Sequence, residues 1–194
     1  MRWFLATLFA VFLAAGIYLG SAIVSLTRLA EAAKTGNAQE VIARTDFVRL
    51  RRSLVDQIVP GYLEQSGLNR PIKPLERLAA NTYGASFAEA MIAKMLTSEN
   101  LTDILQKGII SSGGSVIATL PSLSELDTSK VFQALRRLTL IKPVEFMIRL
   151  GEGEMAGGVS LHFEGDGWKL SGIQLPTLAV QALARNLISN RKAD

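Results

Sequence analysis

Cysteine is absent from this chain, and histidine occurs once, at His162. Without thiols there are no disulfides, no zinc–thiolate centre and no cysteine nucleophile. A lone histidine excludes a multi-histidine metal site and leaves any imidazole acid–base chemistry to His162. Aromatic residues make up only 7% of the chain, and none interleaves with the basic residues to form a stacking surface. A nucleic-acid-binding face is therefore not expected. Also missing are a Gly-Lys-Ser/Thr phosphate loop, a Gly-x-Ser-x-Gly elbow and a dinucleotide fingerprint. The acidic loop residues Glu152, Glu154 and Asp166 lack the alternate-position spacing of a calcium loop. These absences lead to the expectation of a non-enzymatic protein without a cofactor or metal.

What is present is concentrated at the start. From Trp3 to Thr27 the sequence WFLATLFAVFLAAGIYLGSAIVSLT contains no charge. As a helix rising about 1.5 Å per residue, it is long enough to cross a bilayer core of about 30 Å. Three readings compete. A cleaved signal would use Arg2 as its basic start and Gly20-Ser21-Ala22 as its cut, but the apolar run continues through Ile23, Val24 and Leu26. A buried soluble helix accounts poorly for such length. An uncleaved anchor fits best, which makes residues 1–27 a signal-anchor and 28–194 a single domain. Gly16 and Gly20, with the row Ala6, Ala10 and Ala14, would let two such helices approach closely and form a homodimer. Orientation is finely balanced. Arg28, Lys34 and Arg44 outweigh Arg2 and favour a cytoplasmic domain, whereas an anchor at the chain start ordinarily exports the domain behind it. The expectation adopted is a single-pass bacterial inner-membrane protein with a periplasmic domain.

The net charge of +4 is unevenly spread: residues 28–77 hold nine Lys/Arg against six Asp/Glu, and residues 130–150 hold five against one. Residues 28–43 read as a helix broken at Thr35-Gly36-Asn37 and restarted. Asp46 to Val59 is an amphipathic helix. Phe47, Leu50, Leu54 and Ile58 share one face, Asp46 is its N-cap, and Pro60-Gly61 closes or kinks it. Arg49, Arg51 and Arg52 form a solvated face or, lying beneath an anchor, contacts for anionic headgroups. Asn69 to Pro74 is a connector. Ser86-x-x-Glu89 has the form of a capping box that opens a helix through Leu96, with Phe87, Met91, Ile92, Met95 and Leu96 as its stripe. Ser98 to Lys107 is a further helix that stops at Gly108. The helical part thus spans 28–110, and the Ser/Gly-rich stretch opening 111–129 is a linker to the sheet half.

The sheet, 137–176, announces itself by period-two alternation. Val144, Phe146, Ile148 and Leu150 make one strand, Val159, Leu161 and Phe163 the next, and Arg137 to Ile141 offers a fourth. Asp166-Gly167 is expected to turn a hairpin in which Phe163 faces Leu170 and His162 faces Ser171. The apolar phase flips near Gly172, which implies a bulge. Pro176 ends the sheet, and a terminal helix over 177–190 buries Val180, Leu183, Leu187 and Ile188. The fold class is α+β: an N-terminal transmembrane helix, helices packed on a three- to four-stranded antiparallel sheet, and a final helix. His162, Glu164 and Arg149 share the polar face of that sheet and are the candidate ligand residues. A surface histidine opposite Ser171 is the simpler account of His162.

The segment GNAQEVIARTDFVRLRRSLVDQI at 36–58, with Asp46, Phe47, Leu50, Arg51, Ser53 and Leu54, and the ending GWKLSGIQLP at 167–176 resemble the bacterial family called domain of unknown function 2939. The resemblance implies an anchor, paired helices and a late Trp-Lys-Leu strand, and no activity. More loosely, helices followed by an antiparallel sheet resemble the cystatin-like cone fold, which hosts both enzymes and inert modules. The expected function is a membrane-anchored binding module acting on an envelope protein or a lipid. The alternative is a small-ligand carrier or enzyme that uses the interior of a cone-shaped sheet.

Overall fold

The apolar run becomes part of one unbroken helix, α1 (Arg2–Lys34), 33 residues long. The structure, a computed structural model, describes residues 2–65, 82, 86, 88–112, 114–125, 137–165 and 167–191. Among them α1 is the one helix long and apolar enough to cross a membrane. Its two halves have different surroundings. Trp3 is 89% and Phe9 69% accessible, whereas Leu29 and Ala33 are at 0%. From Ala22 onward the helix contributes Leu26, Leu29, Ala30, Ala32 and Ala33 to the core. The boundary drawn at Thr27 thus falls inside a helix already embedded in the domain. α1 ends as its sequence directs. Gly36 takes φ +70°, its N–H donates to Ala33 O, and the Asn37 N–H donates to Ala32 O. That pattern satisfies two of the orphaned carbonyls at the helix end.

Asn37 accepts from the Glu40 N–H and so caps α2 (Ala38–Ala43). Asp46 accepts from the Arg49 N–H ahead of α3 (Phe47–Gln65), which buries Leu50, Leu54, Ile58 and Tyr62. Of the two outcomes expected at Pro60-Gly61, closure does not occur: α3 continues to Gln65 with Pro60 inside it. Gly61 sits so close to Val180 of the last helix that an added Cβ would lie 3.1 Å from its Cγ1, and this packing outweighs the hydrogen bond Pro60 cannot donate.

The capping box at Ser86 is not formed either. Ser86 is itself helical, and its hydroxyl donates to Thr82 O instead of receiving an N–H. Residues 88–95 form α4 and bury Met91, Ile92 and Met95, with Leu96 just beyond. Phe87, the connector Asn69–Pro74 and residues 126–129 lie outside the described residues. In α5 (Ser98–Lys107) Leu101, Ile104 and Leu105 are buried as expected, and Gly108 is a left-handed C-cap.

The supposed linker after Gly108 is largely structured. β1 (Ile109–Ser112) and β2 (Ser115–Thr119) pair antiparallel, with Ser112 opposite Ser115. Gly114, at φ +83°, lies in the turn between them. The remaining strands, β3 (Leu138–Lys142), β4 (Glu145–Leu150), β5 (Gly157–Glu164) and β6 (Gly167–Gln174), form a four-stranded antiparallel sheet in that order. Val144 is exposed in the β3–β4 turn and does not start a strand.

The β5–β6 register differs from expectation. Glu164 is opposite Gly167, Phe163 opposite Trp168 and His162 opposite Lys169. The positive-φ residue is Gly165, at +47°, so the turn falls one residue earlier than Asp166-Gly167; Asp166 itself lies outside the described residues. Each strand keeps its buried face, because the partners shift by two, and the shift sets Phe163 against Trp168 with ring centroids 5.3 Å apart. The bulge occurs as read: Leu161 faces Leu170 and Ser160 faces Gly172, leaving Ser171 extra.

α3 lies along the outer edge of β6. The Asp46 N–H donates to Leu170 O, and the Leu170 N–H donates to Arg44 O. Further along, Gln57 Nε2 donates to Ile173 O at 2.8 Å and its Oε1 accepts from the Leu175 N–H at 2.8 Å. The edge is thereby covered by chain and side chain. α6 (Thr177–Arg191) comes after Pro176 and buries Leu183 and Leu187, with Val180 and Ile188 partly buried against the core.

Candidate functional site

Two concave regions flank the sheet. The larger, about 700 Å³, is an open groove beside α1. Ile17, Ser21, Val24, Ser25 and Arg28 form its α1 wall, a single stripe at helical spacing. Across from them stand Glu40 and Arg44 of α2, with Phe163, Trp168 and Lys169 of the β5–β6 hairpin. The walls are stitched together by serines. Trp168 Nε1 donates to Ser21 Oγ at 2.9 Å, and Ser25 Oγ donates to Trp168 O at 2.8 Å. The groove is apolar at its Ile17 and Phe163 end. At the other end it is cationic, with Arg28, Arg44 and Lys169 against Glu40. Arg44 is bound to Glu40 at 2.6 Å and Lys169 lies 3.4 Å from Glu164. Arg28 is exposed and has no hydrogen bond or ion pair among the described residues.

Tyr18 marks the rim. Its hydroxyl donates to Pro143 O in the β3–β4 turn at 2.6 Å, and its ring lies 5.1 Å from Trp168. Antiparallel connectivity puts the 143–144 turn and Gly165 at the same end of the sheet. Leu140, Ile141 and Val144 are exposed around the first of these turns.

The second region, about 440 Å³, is a trough between α3 and the polar face of the sheet. Arg49, Arg52 and Asp56 stand on its helix side and Lys142, Glu145 and His162 on its sheet side. Glu145 lies directly opposite His162 and 3.5 Å from Lys142. Arg49 pairs with Asp46 at 3.0 Å. Opposite charges are mixed throughout, and no cluster of three metal-ligating side chains occurs among the described residues.

The family model described as "Protein of unknown function (DUF2939)" matches residues 11–104. The match covers just under half of the chain and supports its assignment to that family. No curated protein and no solved structure matches it, so the cone-fold likeness gains no support. The matched stretch carries the α1 and α2 walls of the groove and the Asp46–Leu54 motif. The Gly167–Pro176 motif lies beyond it.

The structure brings His162 together with Arg49 and Arg52 in the trough but disperses the rest of the expected set. Glu164 is exposed near the hairpin tip, two residues along from His162 on the same face. Arg149 is exposed opposite Gly158, about 13 Å along β5 from His162 at the usual strand rise. Arg51 is exposed and does not line the trough. In sequence, Arg28 and Arg44 weigh only on orientation, and Lys169 stands only in the late Trp-Lys-Leu strand. The signal for Arg28 is its place eleven residues after Ile17 on one helical stripe, but nothing local joins that stripe to Arg44 or Lys169.

Proposed function

We propose that this family member is a non-enzymatic binding module seated directly on a bacterial inner membrane by α1. The carrying observation is the continuity of α1: exposed and apolar through Ile17, then fixed in the domain core without a hinge. Cleavage at Gly20-Ser21-Ala22 would strip Tyr18 from the ring cluster it forms with Phe146, Phe163 and Trp168.

The lengths fit a close seat. Starting from Trp3, an interface-favouring residue, about 20 residues at 1.5 Å each fill a 30 Å core and end near Ala22. Tyr18 then lies about 6 Å inside that boundary, and its bond to Pro143 brings exposed Leu140, Ile141 and Val144 to the same depth. The β3–β4 turn therefore belongs to the membrane-facing rim. An apolar helix that leads directly into its domain has the arrangement of an uncleaved signal, which carries the domain outward, so the domain is assigned to the periplasmic side.

Against the alternative of a ligand in the sheet interior, the interior is filled. Among the described residues, cavities on that side measure about 10 and 20 Å³, and His162 faces the trough on the opposite side. Added Cβ atoms at Gly16 and Gly20 meet nothing within 4 Å, which leaves that stretch open to a second copy. Cross-linking in native membranes reads that pairing, and monomers alone would remove it. The main reading is tested by fractionating cells that express the full chain with a reporter after Asp194. Retention in salt-washed membranes with the reporter active outside the cytoplasm is expected. A soluble chain would overturn the anchoring, and a cytoplasmically active reporter would reverse the orientation.

A further inference from the structure

The groove beside α1 joins an apolar end to a cationic end along the direction in which the bilayer itself passes from chains to headgroups. We infer that it is a lateral binding site for one anionic phospholipid of the adjoining leaflet, with its phosphate at Arg28 and an acyl chain against Ile17, Val24 and Phe163. The inference rests on the anchoring proposed above and adds to it a ligand and a place.

Three observations converge on that occupant. Depth is the first. With the hydrocarbon boundary near Ala22, Ile17 lies in the chain region and Arg28 about 9 Å beyond the boundary, at the outer limit of a headgroup layer about 5–8 Å thick. Helical side chains lean toward the helix N-terminus, which here is the membrane side, so the long Arg28 side chain reaches back into that layer.

Charge is the second. Arg44 and Lys169 have carboxylate partners in Glu40 and Glu164, whereas Arg28 has none among the described residues. An unneutralised guanidinium in a groove also lined by Arg44 and Lys169 suits a phosphodiester, which accepts from the planar fork in a bidentate manner.

Continuity is the third. The groove's apolar end runs without interruption into the exposed face of α1. Ile17 is 67% and Val24 51% accessible, so an acyl chain enters from the side without leaving hydrocarbon. A soluble anion would use the cationic end alone and leave that apolar wall uncovered. The trough at His162 offers no comparable gradient, because its charges are mixed and its walls polar.

The test uses the full chain reconstituted in phosphatidylcholine vesicles with and without phosphatidylglycerol. The probe is a phosphatidylglycerol carrying a photoreactive group in its acyl chain. Labelling is expected to concentrate on peptides containing Val24 and Phe163. It should fall about fivefold in Arg28→Gln, the effect of one membrane-facing basic residue, survive in Arg28→Lys, and be unchanged in Arg185→Gln, at an exposed position of α6. Excess inorganic phosphate should not compete. Labelling spread evenly over α1, or indifferent to Arg28, would overturn the groove site while leaving anchoring intact, as would competition by phosphate. A chain that does not float with vesicles would overturn both.

Discussion

The two halves of α1 share one helix and have opposite surroundings. Trp3 to Ile17 and Ala22 to Ala33 belong to one helix with no break between them, yet the first half shows its apolar side chains outward and the second packs them into the domain. Hydrophobicity says that a segment leaves water without saying what replaces the water. Charge and aromatic content make the distinction here. The outer half carries Trp3, Phe4, Phe9 and Phe12 and no charge, whereas the inner half exposes Arg28 and Glu31 and buries Ala22, Ala30, Ala32 and Ala33.

Substitutions in the two halves should therefore be felt by different measurements. The largest effect on folding is expected from Leu29→Ala, which deletes a fully buried side chain and should cost about 2–5 kcal/mol in denaturant unfolding of the detergent-solubilised chain. An unchanged midpoint would mean that the inner half is not core. Leu13→Lys should do the converse. Near the middle of the proposed spanning stretch it should raise the cost of membrane integration by about 3 kcal/mol, read as the membrane-retained fraction, while the unfolding midpoint moves by less than about 0.5 kcal/mol. Ser25→Ala removes the bond to Trp168 O and is expected to cost about 1 kcal/mol of domain stability. Smallest of all, Val24→Ala, on the exposed stripe between the halves, should leave unfolding within about 0.5 kcal/mol of the parent. A loss comparable to that of Leu29→Ala would place the groove wall in the core.

Legibility tracks the range of the forces involved. Helix ends set by their own residues, such as Gly36, Asn37 and Gly108, are readable because capping is local. The sheet strands and the bulge at Ser171 are readable because period-two alternation survives in sequence. Pro60 and Ser86 mislead for one reason. At each a strong local signal gives way, at Pro60 to Val180 packing on Gly61 and at Ser86 to a hydroxyl that donates to Thr82 O. The β1–β2 hairpin hides behind its own turn: Ile109-Ile110 and Val116-Ile117 flank Gly113-Gly114, a pattern that marks paired strands as well as a linker. The turn at Gly165 is displaced from its expected place because Asp-Gly is the stronger local turn signal, while the aromatic pairing of Phe163 with Trp168 is tertiary.

By itself the sequence determined that a long uncharged helix opens the chain, that thiol and multi-histidine chemistry are absent, and that an alternating sheet comes after a set of amphipathic helices. These are properties of composition and short-range period, which no packing can alter. Only the tertiary structure decided how far along α1 the domain begins, which register joins β5 to β6, and which charges meet. Arg28 and Lys169 are far apart in the chain and share a groove because Ser21 and Ser25 bind Trp168. Such long-range encounters depend on the packing of whole elements, and no local pattern encodes them.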